Sequence, residues 1–237
     1  SWRLLPDKVP YFLLAILFGI YAIRIQAESN AIGDVIFPLV MRIFHACYGF
    51  TVYILKIFLP VGLSAFYPYP YPLINAGWIT DTTPPVFFFT LIVTIDVFCF
   101  SMYCIMSDRK NMHIPGFGLL FYVVTIALVL QFLPVGRAIM ADRYAYVPSI
   151  GLFFIAGYYV SLLYHKKAYK VPVIALVAVY AGFLFFLTRE QTRVWKNDET
   201  LWNNVVRNYP LDSRIALAYA NRANFFQLEG KPREALK

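Results

Sequence analysis

The stretch VFFFTLIVTIDVFCFSMYCIM, residues 86–106, decides the fold class. It carries a single charged residue, Asp96. An apolar run of about 20 residues covers the roughly 30 Å hydrocarbon core of a bilayer when helical. A helix also satisfies every backbone N–H and C=O within the segment, as the bilayer interior demands. The rest of the chain is similar material. Of its 237 residues, 60% are hydrophobic, 19% aromatic and only 14% charged, where a typical soluble domain carries about 25% charged residues. Mean hydropathy is +0.60. A water-soluble core of this size would leave too much apolar surface exposed. The expected architecture is all-α, a polytopic helical membrane bundle.

Working outward from residues 86–106, a short basic loop follows at Asp108-Arg109-Lys110, then a second apolar run at 117–133. A polar loop occupies 135–147, another run 149–164, a basic loop 165–170, and a last run 171–187. Upstream, a basic flank (Arg3, Lys8) leads into an apolar run at 11–25, and a polar loop with Glu28, Asn30 and Asp34 follows. Residues 37–59 differ. They are long enough to span, but Arg42, His45, Gly49, Tyr53 and Lys56 recur at steps of three or four and form one polar stripe. That pattern predicts a basic amphipathic helix, interfacial or re-entrant. Pro60 opens an irregular stretch in which Tyr67, Tyr69 and Tyr71 alternate with Pro68, Pro70 and Pro72. Alternate prolines remove donors and forbid helix. The tyrosines suit an aromatic belt at headgroup depth or a loop closing over a membrane-level cleft.

Charge orients the bundle. The dense basic loops 107–113 and 165–170 belong in the cytoplasm. Loop 135–147 and everything after Thr188 then lie outside. Parity asks that 37–59 not cross, giving five spans and a membrane domain over 1–188. The net charge of +8 follows from these loops and does not point to nucleic acid. Cys47, Cys99 and Cys104 all lie in apolar stretches without a CxxC spacing, so neither a disulfide framework nor a zinc site is expected. The chain begins at Ser1 and stops at Lys237 inside a helical pattern, as a piece of a longer protein would.

Residues 189–237 are polar and predict extramembrane helices. Asp198 suits a helix cap before Leu201, Trp202 and Val205, and Tyr209-Pro210 ends that helix. Asp212 or Ser213 caps the next, whose apolar face reads Ile215, Ala216, Tyr219, Ala220, Ala223 and Phe226. Gly230 stops it. Tyr219, Ala223, Phe226, Gly230 and Ala235 fall at the offsets of one tetratricopeptide unit. Arg222 stands where that repeat usually has leucine.

Arg143 with Tyr144 and Tyr146 is the most informative polar cluster. An arginine at the outer surface can hold a phosphate through paired donors, tyrosine hydroxyls lie at headgroup depth, and Arg137 adds a second cation. The alternative is that Arg143 pairs with Asp142 or anchors the loop to lipid headgroups. Asp96, an acid inside a span, is costly there and suits a bundle-facing place paired with a hydroxyl or with a cation such as Lys56 or Arg42. His45 suits an interfacial position, while His113 and His165 lie in basic loops. No nucleophile triad, glycine-rich phosphate loop or metal-ligand spacing occurs.

The run Arg143-Tyr144-Ala145-Tyr146-Val147-Pro148-Ser149-Ile150-Gly151, with the upstream Leu59-Pro60-Val61-Gly62-Leu63-Ser64 and Arg193-Val194-Trp195 before the tail, resembles the transmembrane-and-TPR-containing glycosyltransferases, particularly bacterial members. That resemblance covers about residues 8–237. It implies a GT-C-type fold that moves a sugar from a polyprenyl-phosphate carrier to an acceptor, often a protein hydroxyl, on the outer face. It also implies a bacterial inner-membrane location with the tail periplasmic. Arg143 would contact the lipid-phosphate leaving group. The family's catalytic acid lies in a first outer loop that no residue here matches, so no catalytic residue is assigned. That gap keeps a second expectation open: a non-catalytic, membrane-anchored scaffold that binds membrane lipids and a protein partner through its tail helices.

Overall fold

The computed structural model describes residues 8–28, 38–69, 85–130, 132, 138–210, 212–231 and 233. They form eight α-helices and no strand: α1 (Val9–Glu28), α2 (Leu39–Phe58), α3 (Pro85–Met106), α4 (His113–Ala127), α5 (Tyr146–Tyr164), α6 (Lys170–Val194), α7 (Asp198–Asn208) and α8 (Ala216–Leu228). Four of them, α2, α3, α5 and α6, are long and apolar enough to cross a membrane. The expected all-helical, apolar architecture is therefore present.

Boundaries shift where proline and charge decide them. α4 starts four residues before the expected 117, because Pro115 sits in the first turn, where its missing N–H costs nothing. It stops at Ala127, short of 133. At 15 residues it is shorter than a full span. α5 likewise starts at Tyr146, with Pro148 in its first turn. α6 runs seven residues past the apolar stretch that ends at Leu187. An Arg193–Glu190 ion pair at 2.8 Å supports that polar extension across one turn.

Consecutive helices α3, α4, α5 and α6 pack as neighbours, α4 against α5 most extensively. Glycines allow the close approaches. A Cβ on Gly151 would lie 2.4 Å from the Gly118 carbonyl oxygen, and one on Gly118 would lie 2.6 Å from the Gly151 oxygen. The small side of each helix is thus spent on backbone-to-backbone contact.

α2 lies against this row. Thr51 Oγ1 donates to the Thr90 carbonyl at 3.4 Å, Thr94 Oγ1 to the Cys47 carbonyl at 3.5 Å, and Tyr122 OH to the Phe50 carbonyl at 2.7 Å. The candidate span in α2 is 56% buried, against 17% or less in α3, α5 and α6. Its polar stripe lies on the buried side of the helix. His45 and Tyr53 are buried, at 3% and 1% exposure, and the stripe faces protein. The His45 ring lies against Tyr69, with centroids 5.0 Å apart and planes tilted by 58°. Tyr67 and Tyr69 are buried in the same core and form no headgroup belt; Tyr71 lies outside the described residues. Cys47 and Cys104 are buried and Cys99 exposed, all unbridged.

In the tail, Asn197 rather than Asp198 caps α7. Its side chain accepts from the Thr200 N–H, and Thr200 reciprocates in a capping box; Asp198 falls in the first turn. Asp212 caps a 3-10 turn ahead of α8 by accepting the Arg214 N–H at 2.9 Å. α7 and α8 pack together, but on a register shifted from the expected one. Ile215, Ala218 and Phe226 are buried, whereas Ala216 and Ala220 are exposed. Tyr219 and Ala223 are half-buried, and Gly230 ends the hairpin at φ +71°. Ala235 lies outside the described residues.

Phe66 inserts into the tail's own cluster with Val205, Ile215 and Ala218. Arg214 Nη1 donates to the Tyr69 carbonyl at 2.6 Å. The Tyr-Pro loop is thereby held between the bundle and the tail.

Candidate functional site

At the end of α2 the chain must turn sharply. Gly62 takes φ +60°, a left-handed conformation that glycine adopts without strain. The turn presents the Val61 and Gly62 carbonyls to Lys56, whose Nζ donates to both at 3.1 Å. The same ammonium lies 5.0 Å from the Tyr67 ring centroid.

Two tyrosines then fix the 139–142 segment. Tyr53 OH accepts from the Ala141 N–H at 2.9 Å and donates to the Ala141 carbonyl at 3.1 Å. Tyr67 OH accepts from the Ser64 N–H at 2.9 Å and donates to Asp142 Oδ1 at 2.7 Å. The Tyr67 carbonyl accepts from the Ile139 N–H at 3.0 Å. Burial, and then the neighbouring Asp142 charge, hold the Tyr67 hydroxyl well above its ordinary pKa. It therefore remains a donor. Asp142 Oδ2 is buried and has no hydrogen-bond partner among the described residues.

Anchored in this way, a short 3-10 turn (Asp142–Ala145) leads into α5 and turns Arg143 outward. The guanidinium lies 5.0 Å from the Tyr144 ring centroid, and Nη2 donates to the Tyr144 hydroxyl at 3.5 Å. Arg143 forms no ion pair with Asp142. Its other donors are available to a ligand.

These groups line a cavity of about 580 Å³ between α2, the 3-10 turn, α5 and the far end of α6. Lys56 and Arg143 supply the cations, and Asp142 the one carboxylate. Ile57, Leu63 and Phe153 form apolar wall. Tyr146 lines the cavity at 78% exposure, whereas Tyr144 stacks under Arg143 and is not part of the wall. Arg137 lies outside the described residues.

The structure also brings in residues the sequence did not assign. Thr188, Gln191, Thr192 and Trp195, spaced as one helical face, line the opposite wall. Their i, i+3, i+4, i+7 spacing was the available signal. Lys56 had no comparable signal, because its convergence with Arg143 comes from the Gly62 turn.

Asp96 stands apart. It is exposed on α3 and lines a separate groove of about 440 Å³ with Pro115, Leu119, Ile155 and Tyr159. Asp96 forms no ion pair with Lys56, which lines the other cavity. Among the described residues, no group of three or more His, Cys, Asp or Glu side chains is placed to hold a metal ion. No protein-family model, curated protein or solved structure matches the chain.

Proposed function

We propose that the chain is part of an integral-membrane glycosyltransferase of GT-C type. It moves a sugar from a polyprenyl-phosphate carrier to an acceptor hydroxyl, with protein Ser or Thr as the acceptor class. The observation that carries this reading is the pair of cations, Arg143 and Lys56, on one apolar-walled cavity at the end of the bundle. A lipid phosphate needs both features: charge-assisted donors for the phosphate and hydrocarbon-like wall for the chain. Charge developing on the departing phosphate would be met by donors already in place.

In this reading loops 107–113 and 165–170 are cytoplasmic, and the cavity and tail lie on the periplasmic side of a bacterial inner membrane. The contacts of α2 with α3, α4 and α5 support its not crossing. Thr90 and Thr94, Tyr122 and Phe153 all fall in the halves of those helices nearest the cavity end. The tail hairpin acts as the first tetratricopeptide unit, presenting acceptor or partner proteins.

The test is Arg143→Ala in the full-length protein. Loss of lipid-linked sugar transfer with membrane insertion intact is expected. Transfer at the wild-type rate would remove the phosphate role.

A further inference from the structure

The cavity has two chemically different walls. One carries Lys56, Asp142 and Arg143. The other is the polar extension of α6, where Thr188, Gln191, Thr192 and Trp195 face inward. Of the charged residues of the same turns, Glu190 and Arg193 pair with each other at 2.8 Å, and neither they nor Arg189 line the cavity. The inward face therefore holds hydroxyls, an amide and an indole, with no charge.

That combination suits a sugar ring. An amide side chain offers two donors and an acceptor, which match a hydroxyl that both gives and takes a hydrogen bond. An aromatic face covers the apolar C–H face of a pyranose. Trp195 is 56% exposed, so its ring is open to a ligand. It is also held in place. The Trp195 backbone N–H donates to the Gln191 carbonyl at 3.3 Å, and Thr200 Oγ1, the partner of Asn197 in the α7 capping box, donates to the Val194 carbonyl at 2.9 Å. The α6–α7 junction thus fixes the platform.

We propose that this α6 wall recognises the sugar of the lipid-linked donor, with Trp195 stacking on the ring and Gln191 bonding its hydroxyls. The inference rests on the phosphate-binding reading of the opposite wall, and assigns to α6 the choice between a glycosylated and a bare carrier.

The experiment measures binding to the full chain in lipid nanodiscs. The probes are polyprenyl monophosphate and the same carrier bearing glucose, mannose or galactose. The wild type should bind one of the glycosylated carriers more tightly than the bare one. Trp195→Ala should lower affinity for that carrier about tenfold and leave the bare carrier unchanged, while Trp195→Phe retains most of the preference. Arg143→Ala should weaken all four. A preference that survives Trp195→Ala, equal weakening of bare and glycosylated carriers, or no preference in the wild type would each overturn the assignment of this wall. Failure of the phosphate reading looks different: the bare carrier would not bind, or Arg143→Ala would leave its affinity unchanged, and this inference would fall with it.

Discussion

Replacing Gly151 with alanine tests the close α4–α5 contact. The added Cβ would lie 2.4 Å from the Gly118 oxygen, 3.1 Å from the Tyr122 nitrogen and 3.2 Å from Phe121 Cδ1. Two of these neighbours are backbone atoms, which cannot rotate aside. The helices must separate by roughly 1 Å to restore ordinary contact, and a gap of that size forfeits roughly a quarter to a half of each dispersion contact. Overpacking costs about 1–3 kcal/mol, and a backbone obstruction belongs at the upper end. Alanine returns about 1 kcal/mol of helix propensity. The net loss should be about 2 kcal/mol. Gly157 lies on the same helix with nothing within 4 Å of its added Cβ. Gly157→Ala should therefore be neutral or stabilising by up to about 1 kcal/mol. Both variants would be compared by SDS-induced unfolding of detergent-solubilised protein. A Gly151→Ala protein as stable as Gly157→Ala would refute the close-approach argument.

Three further outcomes are expected. Tyr67→Phe removes the side-chain donor to Asp142 Oδ1, which should cost about 1–3 kcal/mol in the same unfolding assay; an unchanged midpoint would show that the carboxylate draws no support from the Tyr67 hydroxyl. Arg214 holds the Asp212 carboxyl below its ordinary value of 3.8. Its contribution is thus fully present above that unfolded value and lost as pH falls through the lower folded one. Hydrogen-exchange protection at the start of α8 should be flat from about pH 8 to 5 and drop below about 4. Arg214→Ala should abolish that acid step, and a drop near neutral pH would contradict this origin. Finally, in a chain lacking Cys47, Cys99 and Cys104, a cysteine at position 195 should react with a membrane-impermeant reagent from the outer side, and labelling only from the cytoplasm would invert the orientation.

Much of the architecture was legible because it depends on local composition. The apolar runs of α3, α5 and α6 announce themselves in any bilayer-length window, and Gly230 marks the end of the tail hairpin by its own backbone freedom. Boundaries were missed where local rules conflict. Pro115 and Pro148 read as breaks but lie in first turns, and the charges after Leu187 hid two more turns of α6. The stripe on α2 was legible as polar, but only the structure shows that protein covers it, because periodicity gives the face of a helix and not what lies against it.

The sequence by itself determined that this chain is helical, apolar enough for a membrane, and followed by a polar helical tail, because those properties are sums over neighbouring residues. It also singled out Arg143, through a motif in consecutive positions. Only the tertiary structure decided that Lys56, 87 positions earlier, and Trp195, 52 positions later, line the same cavity as that arginine. That meeting depends on the left-handed turn at Gly62 and on the Tyr53 and Tyr67 hydrogen bonds to the 141–142 backbone and carboxylate. The two hydrogen bonds join residues 75 and 88 positions apart, which no single segment specifies.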